Sequence, residues 1–225
     1  PDIDKSDPFL DARSSSKPLP NQSHLTIDNS LFLSAGYPAL LGVDKRPYSS
    51  AFLLLVDVSS IIRFDPETGI QRVVVRLLQE MMFLSALKFR VEPVYEYQGR
   101  YYFARRFTHE VLGLALDKWD RAWRPDSLVV PTKGDVFLGL DWAQCMVQEA
   151  EQTLKDWKNR GVSLHFVVYD LLPLQLPQYF PRRFDREMEA WVVMIAGLGD
   201  SLHCISASVA EDLNRFLADS ALVPT

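Results

Sequence analysis

Cysteine and histidine are scarce in this chain, two and four in 225 residues, and none falls at metal-ligand spacing. Cys145 and Cys204 lie in separate apolar stretches and read as reduced, buried thiols acting as small hydrophobes, not as a disulfide framework. A zinc site needs several Cys or His in close repeats, which His24, His109, His165 and His203 do not supply, so no metal is expected. An excess of basic residues is missing too. With a formal charge of −5 the chain is a poor match for nucleic acid. The longest apolar segments, Ala51 to Val56 and Ala190 to Leu198, fall well short of the roughly 18 to 20 residues that span a bilayer.

Several catalytic signatures are also absent. No G-x-G-x-x-G follows the first apolar run and no G-x-x-x-x-G-K-[ST] occurs, which argues against nicotinamide and P-loop chemistry. A G-x-S-x-G nucleophile elbow is missing, and spacing singles out no glycosidase-like pair of carboxylates. The start, Pro1 with neither methionine nor secretory signal, reads as a piece of a longer cytosolic protein.

What is present is an apolar content of 48% with 12% aromatics, enough for a globular core. Residues 1 to 24, with Pro1, Pro8, Pro18, Pro20 and Ser14-Ser15-Ser16, read as a disordered arm or linker. Residues 25 to 50 read as an N-terminal extension, with Leu31-Phe32-Leu33 and Tyr37 to Leu41 able to pack over a domain. The globular domain spans 51 to 225.

Its first strand is the continuous apolar run Phe52 to Val58, as expected of a strand covered on both faces. Ile70, Val73, Val74, Leu77, Leu78, Met81 and Met82 then form the stripe of a core-facing helix. Phe89 to Tyr97 and Arg100 to Arg105, split by Gln98-Gly99, read as a hairpin insertion, with a weakly patterned helix in Thr108 to Trp123. Strand Asp135 to Leu140 precedes Asp141, an N-cap candidate, and a helix from Trp142 to Trp157 that stops at Gly161. Leu164 to Val168 is a strand, Pro173, Pro177 and Pro181 hold an extended loop, and Arg182 to Leu198 is helical. Ser201 to Ile205 is a short strand, and Ser206-Ala207-Ser208 caps a last helix. The pattern predicts an α/β, Rossmann-like parallel sheet with helices on both faces.

In such a sheet the strands deliver their C-terminal loops to one edge, where ligands bind. That edge would gather Asp57 and Ser59, then Asp141 and Trp142, then Tyr169 and Asp170. It is joined by the helix start at Thr68, Gly69, Ile70, Gln71 and Arg72, whose unpaired N–H groups favour anions. Each has a plainer reading. Asp57 and Asp141 could cap turns, Thr68-Gly69 could simply turn the chain, Arg72 could be a solvated charge, and Tyr169-Asp170 could anchor a loop.

Four blocks in order carry a resemblance. They are Val56-Asp57-Val58-Ser59 with Asp65-Pro66-Glu67-Thr68-Gly69-Ile70-Gln71-Arg72-Val73-Val74; Asp135 to Trp142; Tyr169 to Leu174 with Pro177 and Phe180-Pro181; and Cys204-Ile205-Ser206 with Ala210 to Leu213. Together they resemble the N-terminal half of bacterial glycosyltransferase family 4 enzymes, above all mannosyl- and rhamnosyltransferases that build O-antigen and related surface polysaccharides. The resemblance implies a GT-B fold, of which this chain is the acceptor-binding half. The half that holds the nucleotide-sugar donor (GDP-mannose or similar) and carries a Glu-x7-Glu element is absent from it.

On that resemblance Thr68 to Gln71 would face the donor phosphates, and Arg72 and Asp170 would be catalytic. Tyr169 stands where many members place a histidine. Asp57, Ser59, Asp141, Trp142 and Tyr169 would bind the acceptor, a glycan or lipid-linked oligosaccharide. No cofactor is expected to be bound tightly, and the isolated chain is expected to be inactive. The implied location is the cytoplasm, extending to the inner-membrane face where the acceptor is lipid-linked. The alternatives are a non-catalytic docking module for a protein or glycan, and a stand-alone nucleotide-binding domain.

Overall fold

A computed structural model describes residues 52–63, 69–83, 89–111, 126–142 and 149–220. The chain divides into two units, Pro1–Val43 and Asp44–Thr225, and every described residue belongs to the second. The arm and extension read at 1 to 24 and 25 to 50 therefore lie outside the described residues, as do Thr68 and Cys145.

The elements in order are β1 (Phe52–Asp57), α1 (Ser59–Arg63), α2 (Gly69–Phe83), β2 (Phe89–Tyr97), β3 (Arg100–Phe103), α3 (Arg105–Val111) and β4 (Val136–Gly139). Then come α4 (Glu151–Asn159), β5 (Ser163–Val168), α5 (Leu172–Gln175), a 3-10 turn (Pro177–Tyr179), α6 (Phe184–Leu198), β6 (Ser201–Cys204) and α7 (Ala207–Asp219). One six-stranded sheet runs β3-β2-β1-β4-β5-β6, parallel throughout except for β3.

Alternation along β1 explains the layering. Leu53 and Leu55 join the main core with Leu154 and Trp157 of α4 and Met188, Trp191, Val192 and Ile195 of α6. Val56 points the other way, toward the face where Val74, Leu78 and Met82 of α2 are buried outside that cluster. The main core is knit by aromatic contacts: Tyr101 to Phe137 at 5.1 Å, Tyr101 to Trp157 at 5.3 Å, and Phe137 to Phe166 at 5.9 Å. Gly139 is needed for this packing, because a Cβ there would lie 2.6 Å from a Phe166 ring carbon.

Several local expectations change. The stripe on α2 is only half used. Gln71, Val74, Leu78 and Met82 are buried, whereas Val73 and Leu77 are 47% and 44% exposed. The helix meets the sheet along one row of side chains, and the apolar pattern was wider than that contact.

The hairpin is integral to the sheet, since β2 pairs in parallel with β1 while β3 closes the edge. Gln98 and Gly99 both adopt positive φ, 51° and 77°, the geometry of a tight two-residue hairpin turn. The proline-rich stretch is not extended, because Pro173 sits in the first turn of α5 and Pro177 opens the 3-10 turn. Proline is tolerated there, as the first turn of a helix has no use for its missing N–H. Ser206 caps α7 by accepting the Val209 amide at 3.2 Å.

Candidate functional site

The chain leaves β1 toward β2 on one side and reaches β4 on the other, so β1 and β4 are the neighbours whose connections diverge. Such a switch point opens a crevice at the carboxyl ends of the two strands. Asp57 ends β1 and Asp141 follows β4 by two residues, so both expected carboxylates are delivered to it.

Neither reaches the surface. Asp57 is 0% and Asp141 2% exposed. Asp57 Oδ1 accepts the Ser59 amide at 3.0 Å and the Ser59 hydroxyl, and Oδ2 accepts the Tyr101 hydroxyl at 3.3 Å. Asp141 Oδ2 accepts the Ile61 amide at 2.9 Å, and Oδ1 accepts the Trp142 amide at 2.8 Å. Two carboxylates thus occupy the amide-rich start of α1, where an anion would otherwise be drawn.

Burial pushes the Asp57 carboxyl up to about 7, against the lowering effect of its Ser59 bonds, and the nearby Asp141 adds to the rise. Burial likewise raises Asp141 to about 6, opposed by the amides of Ile61, Trp142 and Ser60. No periodicity marks α1, whose five residues are too few to show one. Asp141 caps it from a distance; of the helix expected from Trp142 to Trp157, residues 143–148 lie outside the described residues and α4 begins at Glu151.

Ser59 continues inward, its hydroxyl accepting the Glu96 amide at 2.8 Å. Glu96 is fully buried. Its Oε2 takes Arg63 at 2.6 Å and its Oε1 the Gly99 amide at 2.6 Å. Glu96, Arg63 and Tyr101 were not read from the sequence. A glutamate at a core position of β2 beside the hairpin turn was the available signal.

Toward the cleft the groups differ. Gly69 and Arg72 are exposed at the start of α2, Ile70 is half-buried, and Gln71 is buried with its Nε2 3.4 Å from the Ser60 hydroxyl. Tyr169 is buried, and its hydroxyl donates to the Leu140 carbonyl at 2.9 Å, tying the end of β5 to that of β4. Burial raises its phenol above the usual range. Asp170 is half-buried, with Oδ1 accepting the Leu172 amide at 3.0 Å at the head of α5. Trp142 is half-buried and meets Phe184 edge-on at 5.7 Å.

The structure therefore separates the expected residues into two sets. Asp57, Ser59, Asp141 and Tyr169 are buried and carry internal hydrogen bonds. Gly69 and Arg72 are exposed, and Trp142 and Asp170 keep part of their surface. Among the described residues no three or more His, Cys, Asp or Glu are grouped to hold a metal.

No protein-family profile matches the chain. It is similar to three serotype-specific mannosyltransferases called WbdA from Escherichia coli, each 30% identical over 167 or 168 residues, about three quarters of this chain. The aligned region is 19 to 20% of those relatives, so the chain spans about a fifth of the length of the proteins it matches.

Proposed function

We infer that this chain, homologous over most of its length to a segment of bacterial serotype-specific mannosyltransferases, is the acceptor-side half of a glycosyltransferase cleft. The observation that carries the reading is the long alignment to mannosyltransferases on a chain folded as a Rossmann-like half of a GT-B enzyme. The donor is a nucleotide sugar such as GDP-mannose, held mainly by a second domain. The acceptor is a glycan, free or lipid-linked. Among the described residues no helix is long and apolar enough to cross a membrane.

Glycosyl transfer breaks the bond between the sugar C1 and the diphosphate oxygen, and the electron pair leaves with the diphosphate. The acceptor oxygen bonds to C1 and gives up its proton. The step needs stabilisation of the leaving charge and an oriented hydroxyl. Arg72, exposed and cationic, and the amide-rich α2 start at Gly69 to Gln71 suit the first task. Asp170 suits the second, since its Oδ2 takes no bond among the described residues. Trp142 offers a half-exposed indole against which a sugar ring can stack. Asp57, Ser59 and Asp141 hold α1 in place.

The test is binding by the isolated chain, measured by ligand-observed NMR with a mannose-terminated oligosaccharide and with GDP-mannose. Saturation transfer to the oligosaccharide, lost in Asp170→Asn, is the expected result. Binding of GDP-mannose with no binding of the glycan would overturn the assignment of the acceptor side.

A further inference from the structure

Three large apolar side chains are left exposed in the short stretch that follows Asp170. Leu172 and Leu176 are 42% and 41% exposed, and Tyr179 is 77% exposed. The Leu176 amide donates to the Leu172 carbonyl at 2.8 Å and the Tyr179 amide to the Leu176 carbonyl at 3.1 Å, so the three follow one another along successive turns. This is the i, i+4, i+7 spacing of a core-facing stripe, yet here it meets solvent. The inner side of the same turns is taken by Leu171 and Leu174, which pack on the main core, and by the buried Pro173. The segment is also braced. Phe180 stacks on Phe184 at 5.9 Å, Phe184 meets Trp142, and Asp170 holds the first turn through the Leu172 amide.

Two cations close the stretch. Arg182 and Arg183 are exposed, and among the described residues neither side chain is hydrogen-bonded or ion-paired. Arg183 has a φ of 77°, a left-handed conformation uncommon outside glycine, at the bend that leads into α6. From Leu171 to Phe184 there is no acid, on a chain whose formal charge is −5. The acids on either side, Asp170 and Asp185, are half-buried, and in α6 Arg186 is followed by the exposed Glu187 and Glu189. Positive charge is therefore confined to the apolar lip and its border with α6.

We propose that the lip from Leu172 to Arg183 is a membrane-docking surface, its leucines and tyrosine entering the interfacial layer of an anionic bilayer while Arg182 and Arg183 meet the phosphate headgroups. Apolar side chains, an interfacial tyrosine and unpaired arginines match the acyl boundary and the charged layer above it. Three large apolar side chains are few for a stable protein interface, which takes roughly 20 to 30 residues a side. The proposal rests on the acceptor-side reading only in its purpose, which is to bring a lipid-linked acceptor to Asp170 from the adjoining membrane. The docking itself needs no glycan.

The test is co-sedimentation of the whole chain with vesicles of phosphatidylcholine alone and of equimolar phosphatidylcholine and phosphatidylglycerol. Binding to the mixed vesicles is expected, weakened by added salt and at least about ten-fold tighter than to phosphatidylcholine alone. The double variants Leu176→Gln/Tyr179→Ser and Arg182→Gln/Arg183→Gln should each weaken it about ten-fold or more. Their thermal midpoints should stay near that of the parent, since all four side chains are exposed.

No binding to the mixed vesicles would overturn the proposal, as would binding that either double variant retains at full strength. A dimer in sedimentation velocity that Leu176→Gln/Tyr179→Ser abolishes would assign the lip to a second copy of the chain and overturn it too. Vesicle binding without glycan binding would sink the acceptor-side reading and leave the docking surface standing, and glycan binding without vesicle binding would do the reverse.

Discussion

Asp141 Oδ2 accepts the amide of Ile61 over 2.9 Å, although 80 residues separate the two in sequence. The bond fastens the exit of β4 to the helix that follows β1, across the switch point of the sheet. Asp141→Ala would leave that buried N–H without a partner. A loss of about 1–3 kcal/mol in urea unfolding is expected. Asp141→Asn keeps an oxygen in place and should cost less. Equal stabilities for all three proteins would show that the bond contributes nothing.

Stability should also depend on pH in an unusual direction. A carboxyl raised to about 7 in the folded chain holds a proton that the unfolded chain has already released above the ordinary value of 3.8. Its contribution is complete below that value and is lost as pH rises through about 7, and Asp141 behaves alike up to about 6. Each titrating carboxylate gives a fall of about 1.4 kcal/mol per pH unit within its window. Glu96 and Asp126, raised by burial, act in the same direction. His165, lowered mainly by burial, opposes them as pH falls through its unfolded value of 6.5. The midpoint of thermal unfolding should therefore drop between pH 5 and 7.5, and Asp57→Asn should flatten the drop. An unchanged slope in that variant would remove Asp57 as its source.

The two buried aspartates also show where the sequence was informative and where it was not. The apolar run Phe52 to Val56 announced a parallel strand without an alternating pattern, whereas Leu164 to Val168 alternates buried and half-buried residues. Strand ends then followed, and with them the placing of Asp57, Asp141 and Asp170 at one edge. Depth was not legible. Nothing in the letters distinguishes Asp57, sunk beneath α1, from Asp170, which keeps part of its surface, since the difference comes from a helix too short to be seen. The same limit applies to α2, where Val73 and Val74 look alike in sequence but only Val74 is buried.

Glu96 gives a separate test of the buried network. Its buried carboxylate binds Arg63, whose side chain is 32% exposed, and the Gly99 amide of the hairpin turn. Glu96→Ala removes the acceptor for both and should destabilise the chain by about 2–4 kcal/mol, near the low end of values for broken buried pairs because Arg63 can turn to solvent. Arg63→Ala leaves the glutamate free to take up a proton and should cost less. The reverse order in chemical denaturation would contradict this account.

Packing against Gly139 is equally specific. A methyl group there meets Phe166 at 2.6 Å, within a sheet where neither strand can easily move. Gly139→Ala should cost about 1–3 kcal/mol through overpacking. Pairing it with Phe166→Leu should cost less than the sum of the two single changes, because the smaller side chain makes room for the methyl. Additive losses would place the strain elsewhere.

The assignment of chemistry rests on Arg72 and Asp170, and their surroundings allow function to be separated from folding. Arg72 is exposed, and surface substitutions of that kind are usually within about 0.5 kcal/mol of neutral. Asp170 uses Oδ1 to accept the Leu172 amide, which Asn can still do, while replacing Oδ2 with an amide group. In a longer enzyme containing this domain and a donor half, Arg72→Ala should weaken stabilisation of the leaving diphosphate. Asp170→Asn should misorient the acceptor hydroxyl. Each is expected to lower kcat/KM at least about ten-fold, equivalent to about 1.4 kcal/mol of transition-state stabilisation. Unfolding midpoints should stay close to that of the parent. Near-normal rates in both variants would move the chemistry away from these residues, whereas loss of activity with a lowered midpoint in Asp170→Asn would mark that residue as an anchor for α5.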